Sequence, residues 1–559
     1  MTAPDDMSTP QRTGTTEGTS TPQGTSTPQG TEGTSAPDGS GGVHDLRSAL
    51  ARLAGHPGQL IETDHPVDPS AELAGVYKRV GAGGTVERPT RTGPAMIFNN
   101  VTGYPGARVL VGLMASRDRV GLLLDAPPRR LTQRMGQAIK DAISPVTVGP
   151  DRARCQEVVH RADDPDFDLR TLLPAPTNTE QDAGPYFCLG LVLSSDPEGE
   201  KGTDVTIHRL CVQGRDKLTI FFAPGRHIDA FRRKAEARGE PLPVSVNMGL
   251  DPAIHIGACF EAPTTPYGYD ELAVAGGLRG RPVELVDCVT QPERSIAAAE
   301  VVIEGEILPG VREAEDQNTR TGHAMPEFPG YDGPANPALP VLRVTAITTR
   351  TDPILQTLVG PGEEHVSLAG IPTEASIYNA CEAAMPGFVT EVYSHRSGGG
   401  KFLAVLKVNK TNSFDDGRAR QAALVAFGVY SELKNVILVD EDVDIFDTDD
   451  VLWAMQTRMQ GNRDVIAVPG VAGHVLDPSQ TPEYDPTLPA RGTTAKTVYD
   501  ATAPYALRDE FTRAHFRDVD PRPYAPGLFP GTGDPPAGEG APGAGGQVHH
   551  TRSRSSHHD

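Results

Sequence analysis

The sequence predicts an α+β / α/β protein: an N-terminal α/β cap, a central barrel-like β domain and a C-terminal α/β layer, framed by disordered tails. Three observations carry this. Seven strand-like runs crowd residues 169–355, apolar strands alternate with helical stretches over 356–522, and the two ends hold too few apolar side chains to offset the entropy of ordering. With 559 residues the chain has room for two or three cores, and its formal charge of -22 argues against nonspecific nucleic-acid binding.

Residues 1–42 carry the near-repeat GTSTPQGTSTPQGTEGTSAPDG and are expected to be disordered. Over 43–168 an opening helix (LRSALARLAG) precedes the strands PAMIFNNV and ARVLVGLM and a helix around LTQRMGQAIKDAI. The block 169–355 supplies YFCLGLVLSS, DVTIHRLCV, KLTIFFA, VSVNMGL, VELVDCV, AEVVIEGEI and VLRVTAITTR, seven runs that suit a barrel. After a Gly-rich Thr357–Gly370 connector, the strands KFLAVLKV, NVILVDEDVDI and DVIAVPG alternate with the helices ARQAALVAFGVYSELK and DDVLWAMQTRM. Residues 523–559, ending in HHTRSRSSHHD, form the second disordered tail; their histidines on a floppy segment are read as solvated, not as a site.

The six cysteines are scattered without a CxxC pair, which fits reduced thiols in a cytoplasmic protein and no zinc. The polar N-terminus and the lack of a long apolar run predict neither export nor membrane insertion.

The most informative stretch is TDVTIHRLCVQGRDKLTIFFAPGRH, from Thr203 to His227. It sets a carboxylate, an arginine and a histidine on two strands, as a site for an anionic, metal-bridged ligand requires. Asp204 and Arg209 are five residues apart and so lie on opposite faces of a regular strand; for both to line one pocket, a bulge or the strand end must re-aim one of them. The Pro-Gly-Arg turn before His227 exposes backbone N–H groups beside a basic side chain, a suitable phosphate cradle. Ser397-Gly398-Gly399-Gly400-Lys401 is not a nucleotide P-loop, because the GxxxxGK[ST] spacing is missing and Phe402 replaces the hydroxyl.

These stretches, together with FEAPTTPYGYDELAVAGGLRGRPVELV, EDQNTRTGHAMPEFPGYDG, GPGEEHVSLAGIPTEASI, HRSGGGKFLAVLK and ELKNVILVDEDVDIFDTDDVLWAMQTRMQG, resemble the UbiD family of reversible decarboxylases, most closely its gallate and protocatechuate branch. The similarity runs from about Leu46 to Arg522. It implies a split-barrel-like, flavin-binding central domain, a C-terminal oligomerisation domain, and prenylated FMN as cofactor with Mn²⁺ and in addition K⁺. It further implies a flavin prenyltransferase as cofactor supplier, a homodimer or larger homo-oligomer, and the exchange of a small aromatic acid for its arene and CO2.

Carried over by residue, the resemblance puts the metal ligands at Asp204, His227 and Glu271, with Asp204 where asparagine is frequent. The cofactor contacts fall on Thr206, Ile207, His208, Arg209, Arg226, His227 and Lys401. Arg209 orients the substrate carboxylate, a task suited to its planar fork. Relatives carry two acids five residues apart in a Gly-containing loop; here the run Glu327 to Asp332 keeps the spacing, with Phe328 where glycine is usual. Asp332 is assigned as the proton donor, Glu327 as the partner of Arg209, and Glu315 as the reserve acid. Read singly, each of these residues fits a bland role: Asp204 opening a strand, Glu271 on an exposed helix, His208 in the core, Arg209 in an ion pair and the acids capping turns.

The phenolic hydroxyl of the substrate has three candidate partners, His323, His365 and His395. Heteroaryl acids such as pyrrole or indole carboxylates are the alternative substrates. Two other classes stay open: a catalytically silent flavin-binding subunit, and a flavin oxidoreductase, against which the missing GxGxxG unit speaks.

Overall fold

The computed structural model of the chain describes residues 42–223, 225–260, 270–488, 492–525 and 528. The tails expected to be disordered lie outside the described residues, except for Gly42, residues 523–525 and Leu528.

Six strands, Tyr186–Ser195, Thr203–Val212, Lys217–Ile220, Leu242–Met248, Val301–Glu313 and Leu339–Thr349, form the central barrel. Their alternating apolar residues turn Val192, Leu210, Leu218, Val244, Val246, Ile303 and Leu342 into one core. The sheet order is 301–313, 242–248, 186–195, 203–212, 217–220, 339–349, and it closes because the first strand pairs antiparallel with the last. The seventh expected run, VELVDCV, is not a barrel strand. Its Glu284–Asp287 portion pairs with Arg294–Ile296 and Val146–Thr147 in a separate small sheet. Only Leu285 and Val286 of it are buried, and they pack with Leu191, Leu193 and Val205 on another face of the barrel sheet.

The N-terminal layer is a sheet of Leu60–Thr63, Ala95–Phe98, Arg108–Val111 and Ile354–Thr357, so the chain returns to it after completing the barrel. The expected helices are Leu46–Ala54, capped by Asp45, which accepts from the Ser48 amide, and Leu131–Lys140. The C-terminal layer is a five-stranded sheet in the order 389–394, 403–408, 435–440, 493–501, 465–472, with helices Asp415–Val429 and Thr448–Arg458.

The Thr357–Gly370 connector is a correction. Glu363 opens a 22-residue helix to Ala384 that contains Pro372. Its side chains are buried on nearly every side, so it lacks the apolar stripe by which a helix is read. This helix bolts the layers together: the Glu364 carboxylate accepts from the Gly112 and Met114 amides at 2.8 and 2.9 Å, and Glu374 holds Arg117 at 2.8 and 2.7 Å and accepts from the Ser394 amide. It thereby fixes where His365 enters the site.

At the barrel seam a Cβ on Gly305 would strike the Arg343 carbonyl and come within 2.8 Å of Leu342 Cδ2. Gly305→Ala is expected to cost about 2 kcal/mol and lower the thermal transition by several degrees. Gly428→Ala, in a helix with open space around the site, should leave the transition unchanged or raise it. Calorimetry of both variants checks this.

Candidate active site

Two adjacent groups of charged side chains meet along the strand Thr203–Val212. At its start, Asp204, His227 and Glu271 each offer a ligand atom, all within 4.8 Å of one another. His227 is the first residue of the helix His227–Ala237, and its Nδ1 lies 2.9 Å from Asp204 Oδ1. Glu271 is the first residue of the helix Glu271–Arg279, whose N-cap Asp270 accepts from the Leu272 and Ala273 amides.

That helix is sunk in the protein, not exposed, and Glu271 is 3% accessible. The reason is local: Cβ atoms on Gly276 and Gly277 would meet the carbonyls of Ile143 and Ala138, so the glycine pair lets the helix press against its neighbours. Burial, reinforced by the Asp204 charge, pushes the Glu271 carboxyl well above the ordinary range, and its Oε2 has no hydrogen-bond partner among the described residues. Two buried carboxylates and an imidazole converging in this way form a donor set suited to a divalent cation.

Further along the strand, Arg209 is held by two acids. Its Nε and Nη2 donate to Glu315 Oε1 and Oε2, each at 3.0 Å, and its Nη1 donates to Glu327 Oε1. Its guanidinium carbon sits 4.3 Å from the centroid of the Phe221 ring. The strand Thr203–Val212 itself carries no inserted residue; the register shift lies on its neighbour, where Phe187 pairs with Leu210 but Gly190 with His208, so that the neighbouring strand carries an extra residue opposite Arg209.

The two acids differ. Glu315 also accepts from Tyr186 Oη and the Asn336 amide, both at 3.0 Å, and its side chain is 1% exposed. Glu327 accepts only from Arg209 among the described residues, and its side chain is 18% exposed. Burial pushes the Glu327 carboxyl up, the Glu315 charge adds to this, and Arg209 opposes it.

Two cavities of about 150 and 190 Å³ share Cys188, Ile207, Arg226, Leu358 and His365. The first reaches Thr206, Lys401 and Tyr430; the second reaches His208, Arg209, Glu327 and Phe328. Thr206 Oγ1 donates to Asp204 Oδ2 at 3.1 Å, which joins the cavities to the carboxylate cluster. The His208 Nδ1–H donates to the Phe221 carbonyl at 3.1 Å, leaving Nε2 a buried acceptor without a partner among the described residues; burial pushes its pKa down to about 3. Lys401 Nζ donates to Glu432 Oε2 at 2.6 Å, and His474 Nε2 lies 3.5 Å from Glu432 Oε1.

Of the residues singled out from the sequence, the cavities and the two charged groups gather Asp204, Thr206, Ile207, His208, Arg209, Arg226, His227, Glu271, Glu315, Glu327 and Lys401. Asp332 is not among them. It lies exposed on the strand Asp332–Pro334, paired with Pro326, because the Pro-Gly turn between the two acids sends the second outward. His395 engages Ser397 and Thr448 through its two ring nitrogens, and His323 stands on the short strand His323–Pro326. Sequence reading missed Tyr186, Asn336, Glu432 and His474, which lie far apart in the chain and carry no local motif.

The chain matches three models of 3-octaprenyl-4-hydroxybenzoate carboxy-lyase (UbiD) domains: the N-terminal domain over residues 53–139, the Rift-related domain over 146–363 and the C-terminal domain over 366–501. It is 52% identical over 477 residues to the gallate decarboxylase of Lactiplantibacillus plantarum, covering 85% of this chain and 97% of that one. The apo structure of a 3,4-dihydroxybenzoic acid decarboxylase from Enterobacter cloacae superposes with a TM-score of 0.84 at 65% identity, covering 88% of this chain and 100% of that one. An evolved dimeric form of the UbiD-class enzyme HmfF from Pelotomaculum thermopropionicum, in complex with prFMN, gives a TM-score of 0.72 at 33% identity and covers 85% and 97%. The closed barrel, the arginine held between two acids and these matches together make the chain a member of the UbiD family of carboxy-lyases.

Proposed function

We propose that the chain catalyses the non-oxidative, reversible decarboxylation of a ring-hydroxylated aromatic acid such as gallate or protocatechuate, with prenylated FMN as cofactor. The observation that carries the reading is the inequality of the two acids on Arg209. Glu315 has its acceptor positions filled and acts as the ionised anchor of the guanidinium. Glu327 borders the cavity with an oxygen to spare and a raised proton affinity, which suits a general acid near neutral pH. Asp332, exposed to water, lacks both properties, so the donor role moves to Glu327.

The cavity supports the cofactor. Arg226 and Lys401 give it cationic walls, Thr206, Ile207 and His208 give it a strand edge, and the Asp204, His227, Glu271 cluster offers a divalent ion, which we take to be Mn²⁺, a seat beside it. When bound, the prenylated flavin takes up and returns the electron pair of the broken C–CO2 bond. Arg209, with N–H donors left over from its two acids, orients the substrate carboxylate. As CO2 leaves, Glu327 gives its proton to the ring carbon and remains as a carboxylate beside Arg209, to be reprotonated from water. His365 is the candidate for a phenolic hydroxyl: it borders both cavities and its buried Nδ1 has no partner among the described residues.

For K⁺ we assign no ligands. A flavin prenyltransferase would supply the cofactor, and a homodimer or larger homo-oligomer in a reducing cytoplasm, consistent with six free cysteines, completes the reading.

Four outcomes are expected. Mn²⁺ should raise the thermal transition of the protein saturably, and His227→Ala or Glu271→Gln should remove that shift together with flavin retention; equal shifts in all three proteins would end the metal assignment. Arg209→Lys should keep cofactor and lose roughly a hundredfold in kcat, since charge survives and the fork does not. Glu327→Gln should abolish exchange of the product's ring hydrogen in D2O while Asp332→Asn exchanges normally. Because the proton donor must be protonated, decarboxylation in the parent should fall as pH rises through the raised Glu327 pKa.

A further inference from the structure

Phe328 directly follows the acid Glu327 in the chain and is 3% exposed, yet it borders the about 190 Å³ cavity. Its ring is the common neighbour of the polar groups at that end of the site. His365 lies parallel to it at 5.5 Å with an interplanar angle of 8°, and His474 meets it edge-on at 4.6 Å. Lys401 Nζ stands 5.7 Å from its centroid, and Phe402 packs edge-on at 4.9 Å.

The ring has nowhere to retreat. Gly399, at φ +62°, passes so close that a Cβ there would lie 2.5 Å from Phe328 Cδ2 and 2.8 Å from its carbonyl oxygen. The Thr85 hydroxyl donates to the same carbonyl at 2.6 Å. The triple glycine therefore serves a packing role, letting the backbone run against the back of this ring. An apolar space of about 150 Å³ is enough for one benzene ring, and the cavity of about 190 Å³, which the proposed flavin shares, leaves room beside the Phe328 ring for no more than a single ring.

We propose that Phe328 is the specificity-determining wall of the site: it limits the substrate to single-ring acids and, by stacking on His365 and abutting His474, fixes the imidazole offered to a ring hydroxyl and the one packed beside it. It is a positioning residue, since a phenyl group offers no proton and no hydrogen bond. The inference rests on the reading of this cavity as an aryl-acid site. Its two halves separate by substitution. Truncation to alanine removes the wall and frees the imidazoles, whereas leucine keeps most of the bulk and removes only the flat aromatic face.

The test compares flavin-loaded parent, Phe328→Ala and Phe328→Leu on 3,4-dihydroxybenzoate, benzoate and 3-hydroxy-2-naphthoate, reading kcat/KM by CO2 release and Kd by titration calorimetry. Phe328→Ala should improve the naphthoate relative to the dihydroxybenzoate by tenfold or more in both quantities. Phe328→Leu should narrow the preference for dihydroxybenzoate over benzoate by about tenfold while still rejecting the naphthoate. A merely structural role would lower all three acids in proportion, and unchanged ratios in both variants would overturn the proposal. If Phe328→Ala fails to fold, a leucine variant with parental hydroxyl preference overturns it alone. A parent that binds dihydroxybenzoate without releasing CO2 would overturn the proposed reaction while the Kd ratios still judge the wall; a parent that binds none of the acids overturns both.

Discussion

The site depends on one buried charge arrangement, the Arg209 guanidinium clasped between Glu315 and Glu327. A guanidinium taken out of water is tolerated only when it is paired, and removing one partner of such a buried pair costs about 3–5 kcal/mol. Glu315 meets that need by itself, since both its oxygens are filled by Arg209, Tyr186 and the Asn336 amide. Because the anchor is complete, the second acid need not stay ionised to keep Arg209 in place. In the proposed reaction that division would let Glu327 carry a movable proton beside a fixed positive charge.

The barrel supplies the setting for this division. One strand carries Asp204 near its start and Arg209 further along, and the extra residue on the neighbouring strand shifts the pairing register opposite the arginine. The carboxylate cluster and the arginine triad thus share a wall, and in the proposed reading they keep separate tasks, one for a cation and the other for a carboxylate. The long helix Glu363–Ala384 contributes His365 from the far side and is itself held by Glu364 and Glu374. Side chains on three layers therefore converge on the two joined cavities.

Much of this was legible in the sequence, and the failures have physical causes. The odd spacing of Asp204 and Arg209 led to an expected irregularity in their strand, whereas the extra residue sits on the neighbouring strand. Six of the seven strand runs closed the barrel; VELVDCV reads like a strand and is one, but sheet partnership is a tertiary property that its own residues do not encode. The helix from Glu363 hid behind Gly370, Pro372 and all-round burial. The bland alternative for Glu271, an exposed helical acid, misses its burial because the effect of Gly276 and Gly277 depends on Ile143 and Ala138, far away in the chain. The choice of Asp332 followed a five-residue spacing; Glu327 does partner Arg209 as read, while the second acid on Arg209, Glu315, stands twelve residues before it, and its saturation by Tyr186 and Asn336 is visible only in three dimensions.

The protonation of Glu327 at working pH is the point on which the division of labour turns. Infrared difference spectroscopy of the flavin-loaded protein with ¹³C-labelled glutamate reads it directly. A protonated glutamic acid carbonyl band present at neutral pH, lost in Glu327→Gln and retained in Asp332→Asn, is the predicted result; a site whose glutamates are all ionised at that pH, or a band that disappears with Glu315→Gln and survives Glu327→Gln, would contradict it.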